Sequence, residues 1–161
     1  MTHKILFVVA HPDDESLWIG GILNFLNGRE GVEPYVLCAT GRNHPERYNE
    51  FESVMNLIGI KNWYVADESI PERGGIPLSE LDKSFNNGLE SLGLNLEDVD
   101  VLITHSFYGD EHLHAQHSQM FKELFYLCKN NNVPFGFFST AIIRYWSLEP
   151  TLMHMKRDGN T

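Results

Sequence analysis

The sequence predicts an α/β fold: a single-domain, doubly wound, Rossmann-like parallel sheet with strand order 3-2-1-4-5. Short apolar runs alternate along the chain with longer segments of helical periodicity, the pattern of a parallel sheet covered by helices. The strand runs are apolar almost throughout, as strands buried on both faces must be. The 161 residues, 42% of them hydrophobic, suit one domain that buries most of its unfolded surface, so residues 1–161 are read as one unit.

The first strand is placed at residues 5–10. It ends at His11-Pro12, where proline removes a ladder donor and biases its predecessor to extended backbone. Ser16 stands where it can cap a helix in which Leu17, Ile19, Ile22, Leu23 and Leu26 recur at helical spacing. Gly20-Gly21 lowers that helix's propensity by roughly 1 kcal/mol per glycine relative to alanine, so a close approach to the sheet or a ligand loop is expected there. The second strand is read at 35–39, before Thr40-Gly41. Pro45 opens a helix with the stripe Phe51, Val54, Met55 and Ile58, closed by Gly59. A third strand at 62–66 leads to a turn-rich loop (Pro71, Gly74, Gly75, Pro77). A helix follows through Leu78, Leu81, Phe85, Leu89 and Leu92, punctuated by Gly88 and Gly93. Residues 99–104 form the fourth strand, 114–129 a helix and 134–139 the fifth strand. The end segment 141–161 holds one more apolar stretch (Ile142, Ile143, Tyr145, Trp146) and a polar tail. The chain after the fifth strand is thus short.

Composition excludes several classes. Twenty-two acidic residues against 12 basic give a formal charge of -10, the wrong sign for a general nucleic-acid binder. Cys38 and Cys128 lie in apolar contexts without spacing partners, so neither a disulfide framework nor a thiolate metal site is expected; core thiols in a reducing, cytoplasmic setting are. The run 5–10 is too brief for a signal segment or a membrane span, so no stable membrane insertion is expected.

In a sheet of order 3-2-1-4-5 the exit loops of strands one and four meet at the switch point, where ligands sit. The first loop is His11-Pro12-Asp13-Asp14-Glu15. The second segment, from His105 to His117, holds four of the eight histidines. Together they supply imidazoles and carboxylates, the donor set that zinc takes. A hydrolytic zinc site needs three protein ligands, an open position and a carboxylate that is not a ligand to take a proton from water. Adjacent aspartates can divide those tasks, and the pattern alone leaves open which does which. His114 and His117, three apart at a helix start, share a face. Each feature alone has an ordinary explanation: acidic residues complement a helix dipole, and histidine pairs are common on surfaces. Their expected convergence is what favours a site. His3, His44 and His154 are read as surface residues.

The run Val9-Ala10-His11-Pro12-Asp13-Asp14-Glu15, followed by Gly20-Gly21, resembles the signature of the LmbE-like, PIG-L-type zinc-dependent N-deacetylases. The resemblance continues through Thr40-Gly41, Arg47 and Glu50, Leu57-Ile58-Gly59 and Thr104-His105. It then runs through Tyr108-Gly109 to His114-Ala115-Gln116-His117, in the family's order, over roughly residues 4 to 130. It implies a hydrolase that removes the N-acetyl group from an N-acetylglucosamine-type amino-sugar conjugate, with one Zn2+ per chain. By the same resemblance His11, Asp14 and His117 are the metal ligands, and Asp13 is the general base for a zinc-bound water. His114 stabilises the oxyanion or protonates the departing amine, Arg47 contacts substrate, and Glu50 braces the loop. Gln116 stands where the family usually has an aspartate, and a neutral amide there is expected to weaken His114 as an acid. The segment 110–113 is one residue longer than the usual spacing, with His112 as a stand-in ligand.

The alternative reading is a non-catalytic sugar- or metal-binding relative, favoured by Gln116 and the short C-terminal part. A dinucleotide binder is rejected, because His11-Pro12-Asp13-Asp14 occupies the turn where a Gly-x-Gly-x-x-Gly would stand. The expected partner is a small amino-sugar substrate, and the apolar end segment is compatible with a homo-oligomer. Trp18, Tyr108 and Trp146 are candidates to stack on a sugar ring, although such residues more often pack a core or its rim.

Overall fold

The computed structural model describes residues 1–67, 74–108 and 114–139. Pro71 of the turn-rich loop, the segment 110–113 with His112, and the end segment with Ile142, Ile143, Tyr145, Trp146 and His154 lie outside the described residues.

Five strands, β1 (His3–Val9), β2 (Val32–Cys38), β3 (Asn62–Val65), β4 (Val101–His105) and β5 (Phe135–Phe138), form one sheet in the order β3-β2-β1-β4-β5. All four pairings are parallel. The helices are α1 (Gly20–Leu26), α2 (Pro45–Ile58), α3 (Leu78–Ser91) and α4 (Ala115–Asn131). The predicted fold class and strand order are those observed.

Strand alternation sorts the core into two layers. On one face Leu6 and Val8 of β1, Leu37 and Leu102 pack under Leu81, Phe85 and Leu89 of α3 and Met120, Leu124 and Cys128 of α4. On the other, Phe7, Val9, Val36, Cys38 and Ile103 pack under Ile19, Leu23 of α1 and Phe51 and Met55 of α2. The crossovers on the two sides of β1 therefore cover opposite faces, which opens a crevice at the carboxyl ends of β1 and β4.

Two local readings need correction. Ser16 does not cap the helix after β1. Asp14 occupies the cap position, and Ser16 Oγ donates instead to the Asp13 carbonyl, 2.8 Å away. The element opens as a π-helical turn over Glu15–Ile19 before α1. Gly20 supplies the expected close approach, since a Cβ there would lie 3.3 Å from the Glu15 carbonyl oxygen, whereas Gly21 has open space. Strand β2 begins three residues earlier than the sequence pattern placed it and includes Pro34, paired with Ile5. The pairing of β3 begins only at Tyr35, so Pro34 lies where that neighbour is not yet alongside and its missing donor is tolerated.

Other boundaries follow the sequence closely. Pro45 is in the first turn of α2, and Gly59 closes it at φ 83°, donating to the carbonyls of Met55 and Asn56. Gly88 is a packing position rather than a break: a Cβ there would lie 2.3 Å from Leu37 Cδ1 of the sheet.

Candidate metal centre

The loop after β1 turns sharply. Asp13 has φ 135°, a conformation that side-chain-bearing residues rarely adopt. The turn folds the Asp14 carboxylate back under the strand end, where its Oδ2 accepts the His11 amide hydrogen at 2.8 Å. Strand β4 ends in His105, which faces the same crevice, and the first turn of α4 adds Gln116 and His117 with His114 at its N-cap. His11, Asp14, His105, Gln116 and His117 are all buried.

Four donor atoms of three side chains lie close together. His11 Nδ1 lies 3.4 Å from Asp14 Oδ2, His117 Nε2 lies 3.4 Å from Asp14 Oδ1, and the two imidazole nitrogens are 3.3 Å apart. Ligand bonds of about 2.0–2.2 Å in tetrahedral geometry require donors about 3.3–3.6 Å apart. The three contacts fall in that range, with a different Asp14 oxygen facing each imidazole, so the side chains are close enough to share one divalent cation. Broader groupings also occur: donor atoms of His11, His114 and His117 lie within 4.8 Å of one another, as do those of Asp14, His105 and His117. The described residues thus include a buried His/Asp cluster that can hold a metal ion.

The flanking contacts orient this group. Gln116 Oε1 meets Nε2 of His11, which places the proton on that nitrogen and turns Nδ1 toward Asp14 and His117. His105 Nε2 lies 3.3 Å from Asp14 Oδ2 and 3.1 Å from the Ala10 amide nitrogen, and its ring stacks on His117 at 3.8 Å between centroids. The His114 ring stacks on His117 at 4.6 Å and meets His11 edge-on at 4.9 Å.

Electrostatics separate the two aspartates. Burial alone would raise the pKa of Asp14, but contacts from His105, His11 and His117 hold it well below the ordinary carboxylate range, ionised and ready to bind a cation. Asp13 shifts the other way. Burial and the Asp14 charge raise it, against the opposing Arg47 guanidinium, whose Nη2 lies 2.5 Å from Asp13 Oδ2. Burial works to lower His11, yet the hydrogen bond and charge of Asp14 outweigh it and the net shift is upward. In His105 burial prevails and carries the pKa down to about 4.

All six residues singled out from the sequence, His11, Asp13, Asp14, Arg47, His114 and His117, thus converge within one crevice. Glu50 is exposed on α2. Gln116 is placed differently from expectation: its carbonyl oxygen bears on His11, a ligand candidate, so its effect is not confined to His114. The sequence pattern puts His105 in the exit loop after a strand at 99–104, with no role assigned beyond its place in the resemblance, whereas it is the last residue of β4. The signal that could have found it is strand alternation, which puts His105 on the same face as the core residue Ile103, two positions earlier. Glu15, named in the sequence only as part of the first loop, is 1% exposed.

No family model matches the chain. One curated relative is the probable N-acetylglucosaminyl-phosphatidylinositol de-N-acetylase of Schizosaccharomyces pombe, 42% identical over 40 residues. That segment covers 25% of this chain and 16% of the relative. Among solved structures, GalB, the 4-carboxy-2-hydroxymuconate hydratase of Pseudomonas putida KT2440, superposes with a TM-score of 0.56 at 15% identity. The match covers 85% of this chain and 65% of GalB. At that identity the likeness establishes the α/β fold alone.

Proposed function

We propose that the protein is a zinc-dependent N-deacetylase acting on an N-acetylglucosamine-type amino-sugar conjugate. The observation that carries this reading is the close grouping of His11, Asp14 and His117 with a second, differently poised carboxylate, Asp13, next to Asp14 in sequence. The short match to a protein named as a de-N-acetylase points to the same reaction class.

His11 through Nδ1, His117 through Nε2 and one Asp14 oxygen would hold the metal. When bound, the metal supplies Lewis-acid polarisation and acidifies water at neutral pH. Asp13 takes the proton of the attacking water on its carboxylate as the new C–O bond forms at the acetyl carbonyl. Its raised pKa brings it closer to neutrality, which favours a base at working pH. Arg47 holds the Asp13 carboxylate before substrate arrives and would contact a sugar hydroxyl or anionic group of the substrate. His114, at the N-cap of α4, donates a ring proton to the amine nitrogen as the C–N bond breaks. Acetate and a free amine leave. Both cysteines are free and buried, in keeping with a reducing, cytoplasmic setting. Among the described residues no helix is long and apolar enough to cross a membrane.

The fold itself is neutral between chemistries, as the name of GalB illustrates, so the assignment rests on the site. Incubating zinc-loaded protein with a panel of N-acetylglucosamine conjugates and measuring free amine and acetate together tests it. Equimolar release that chelation abolishes supports the deacetylase. Stoichiometric zinc with no release from any conjugate favours the non-catalytic binder.

A further inference from the structure

Glu15 is a carboxylate 1% exposed, set beside two other carboxylates in the same turn. Packing alone gives no reason to keep such a group, because a buried acid needs hydrogen bonds to offset its lost hydration and its neighbours repel it. Its partners are backbone amides. Oε2 accepts the Asp13 amide hydrogen at 2.9 Å, and the carboxylate also accepts from its own amide.

The Asp13 amide is an unusual place to spend that bond, since Asp13 is the residue at φ 135°. A non-glycine residue persists in such a conformation only where its surroundings over-determine it. Here both its amide and its carbonyl are gripped. Glu15 holds its amide, while its carbonyl accepts from Ser16 Oγ at 2.8 Å and from the Leu17 amide at 2.9 Å. The result is that two sequence-adjacent carboxylates diverge, Asp14 to the histidines and Asp13 to Arg47. We propose that Glu15 is a positioning residue: from within the core it clamps the Asp13 amide, and so fixes the backbone turn that gives the two aspartates separate partners. Glycine at 13 would relax the turn without a clamp but would delete the base, so the strained turn needs an acceptor that cannot be solvated away.

The turnover arm of the test rests on the deacetylase reading; the exchange arm does not. In the full, zinc-loaded chain, Glu15→Gln keeps an acceptor of the same shape and Glu15→Leu removes it. Amide hydrogen exchange is followed at Asp13 and, as a control for global stability, at Ala39, whose amide is bonded to the Val9 carbonyl in the sheet. The Leu variant is expected to exchange Asp13 roughly tenfold faster or more, with Ala39 unchanged and the Gln variant close to the parent. The Leu variant is also expected to lose about 100-fold in kcat with KM little changed, and the Gln variant to recover most of that loss. Unchanged Asp13 exchange in the Leu variant, or acceleration shared equally by Ala39, overturns the clamp. If the parent releases no amine, the deacetylase reading fails while the exchange comparison still decides the role of Glu15.

Discussion

Nε2 of His117 lies 3.3 Å from Nδ1 of His11, joining two side chains 106 residues apart in the chain. Two imidazole nitrogens facing one another make a poor hydrogen-bond pair unless a proton or a cation lies between them, and here each also faces an oxygen of Asp14. That relationship is the physical core of the site.

Removing one of the three side chains therefore opens it. His117→Ala is expected to lower zinc affinity by more than the roughly 10–100-fold typical of a supporting residue. Equilibrium dialysis against a zinc buffer reads this directly, and unchanged affinity would move the third ligand to His112 or His114.

Gln116 acts one step further out, through Nε2 of His11. Gln116→Leu leaves that N–H without its acceptor in a buried position, so zinc affinity is expected to fall by about tenfold while the fold persists. Equal affinity in the two proteins would mean that His11 is oriented by Asp14 and the strand end alone.

The metal-free protein carries a pH signature. Burial holds the folded-state pKa of His105 down to about 4, below about 6.5 for an unfolded chain. In that interval the unfolded state binds the proton and the folded state does not. The contribution is therefore complete above about pH 6.5 and is lost as pH falls toward the folded value. His11, shifted upward, acts with the opposite sign, which makes a variant comparison necessary. Urea midpoints in chelator are expected to decline less steeply between about pH 6.5 and about pH 4.5 in His105→Gln than in the parent. Parallel declines would show that His105 takes up its proton normally.

The thiols report on the core. Burial raises Cys38 well above its ordinary value and takes Cys128 to about 12, so neither is a thiolate in the folded protein near neutrality. Both are expected to resist alkylation until denaturant unfolds the sheet, and rapid labelling of the native protein would contradict the two-layer packing.

Much of this was legible in the residues. Continuous apolar strands announced a sheet buried on both faces, and strand order placed the first and fourth exit loops together before any contact was known. What periodicity does not encode is local backbone geometry. The π-helical turn at Glu15–Ile19 keeps the helical spacing of Ile19 and Leu23, so nothing in the pattern separates it from an ordinary first turn. The start of β2 at Val32 was not legible either, because whether Pro34 is tolerated in a strand depends on where the neighbouring strand begins. The side-chain partnership of Gln116 with His11 depends on how a loop and a helix meet in space, and no spacing rule carries that information.

The central claim is that Asp13 and Asp14 do different work, one as base and one as ligand. The most direct measurement takes Asp13→Asn and Asp14→Asn through the same two assays, zinc stoichiometry and free-amine release. The account predicts that Asp13→Asn keeps one zinc per chain and loses turnover by about 100-fold or more, whereas Asp14→Asn loses the zinc itself. Turnover retained by Asp13→Asn, or zinc lost equally by both variants, would contradict it.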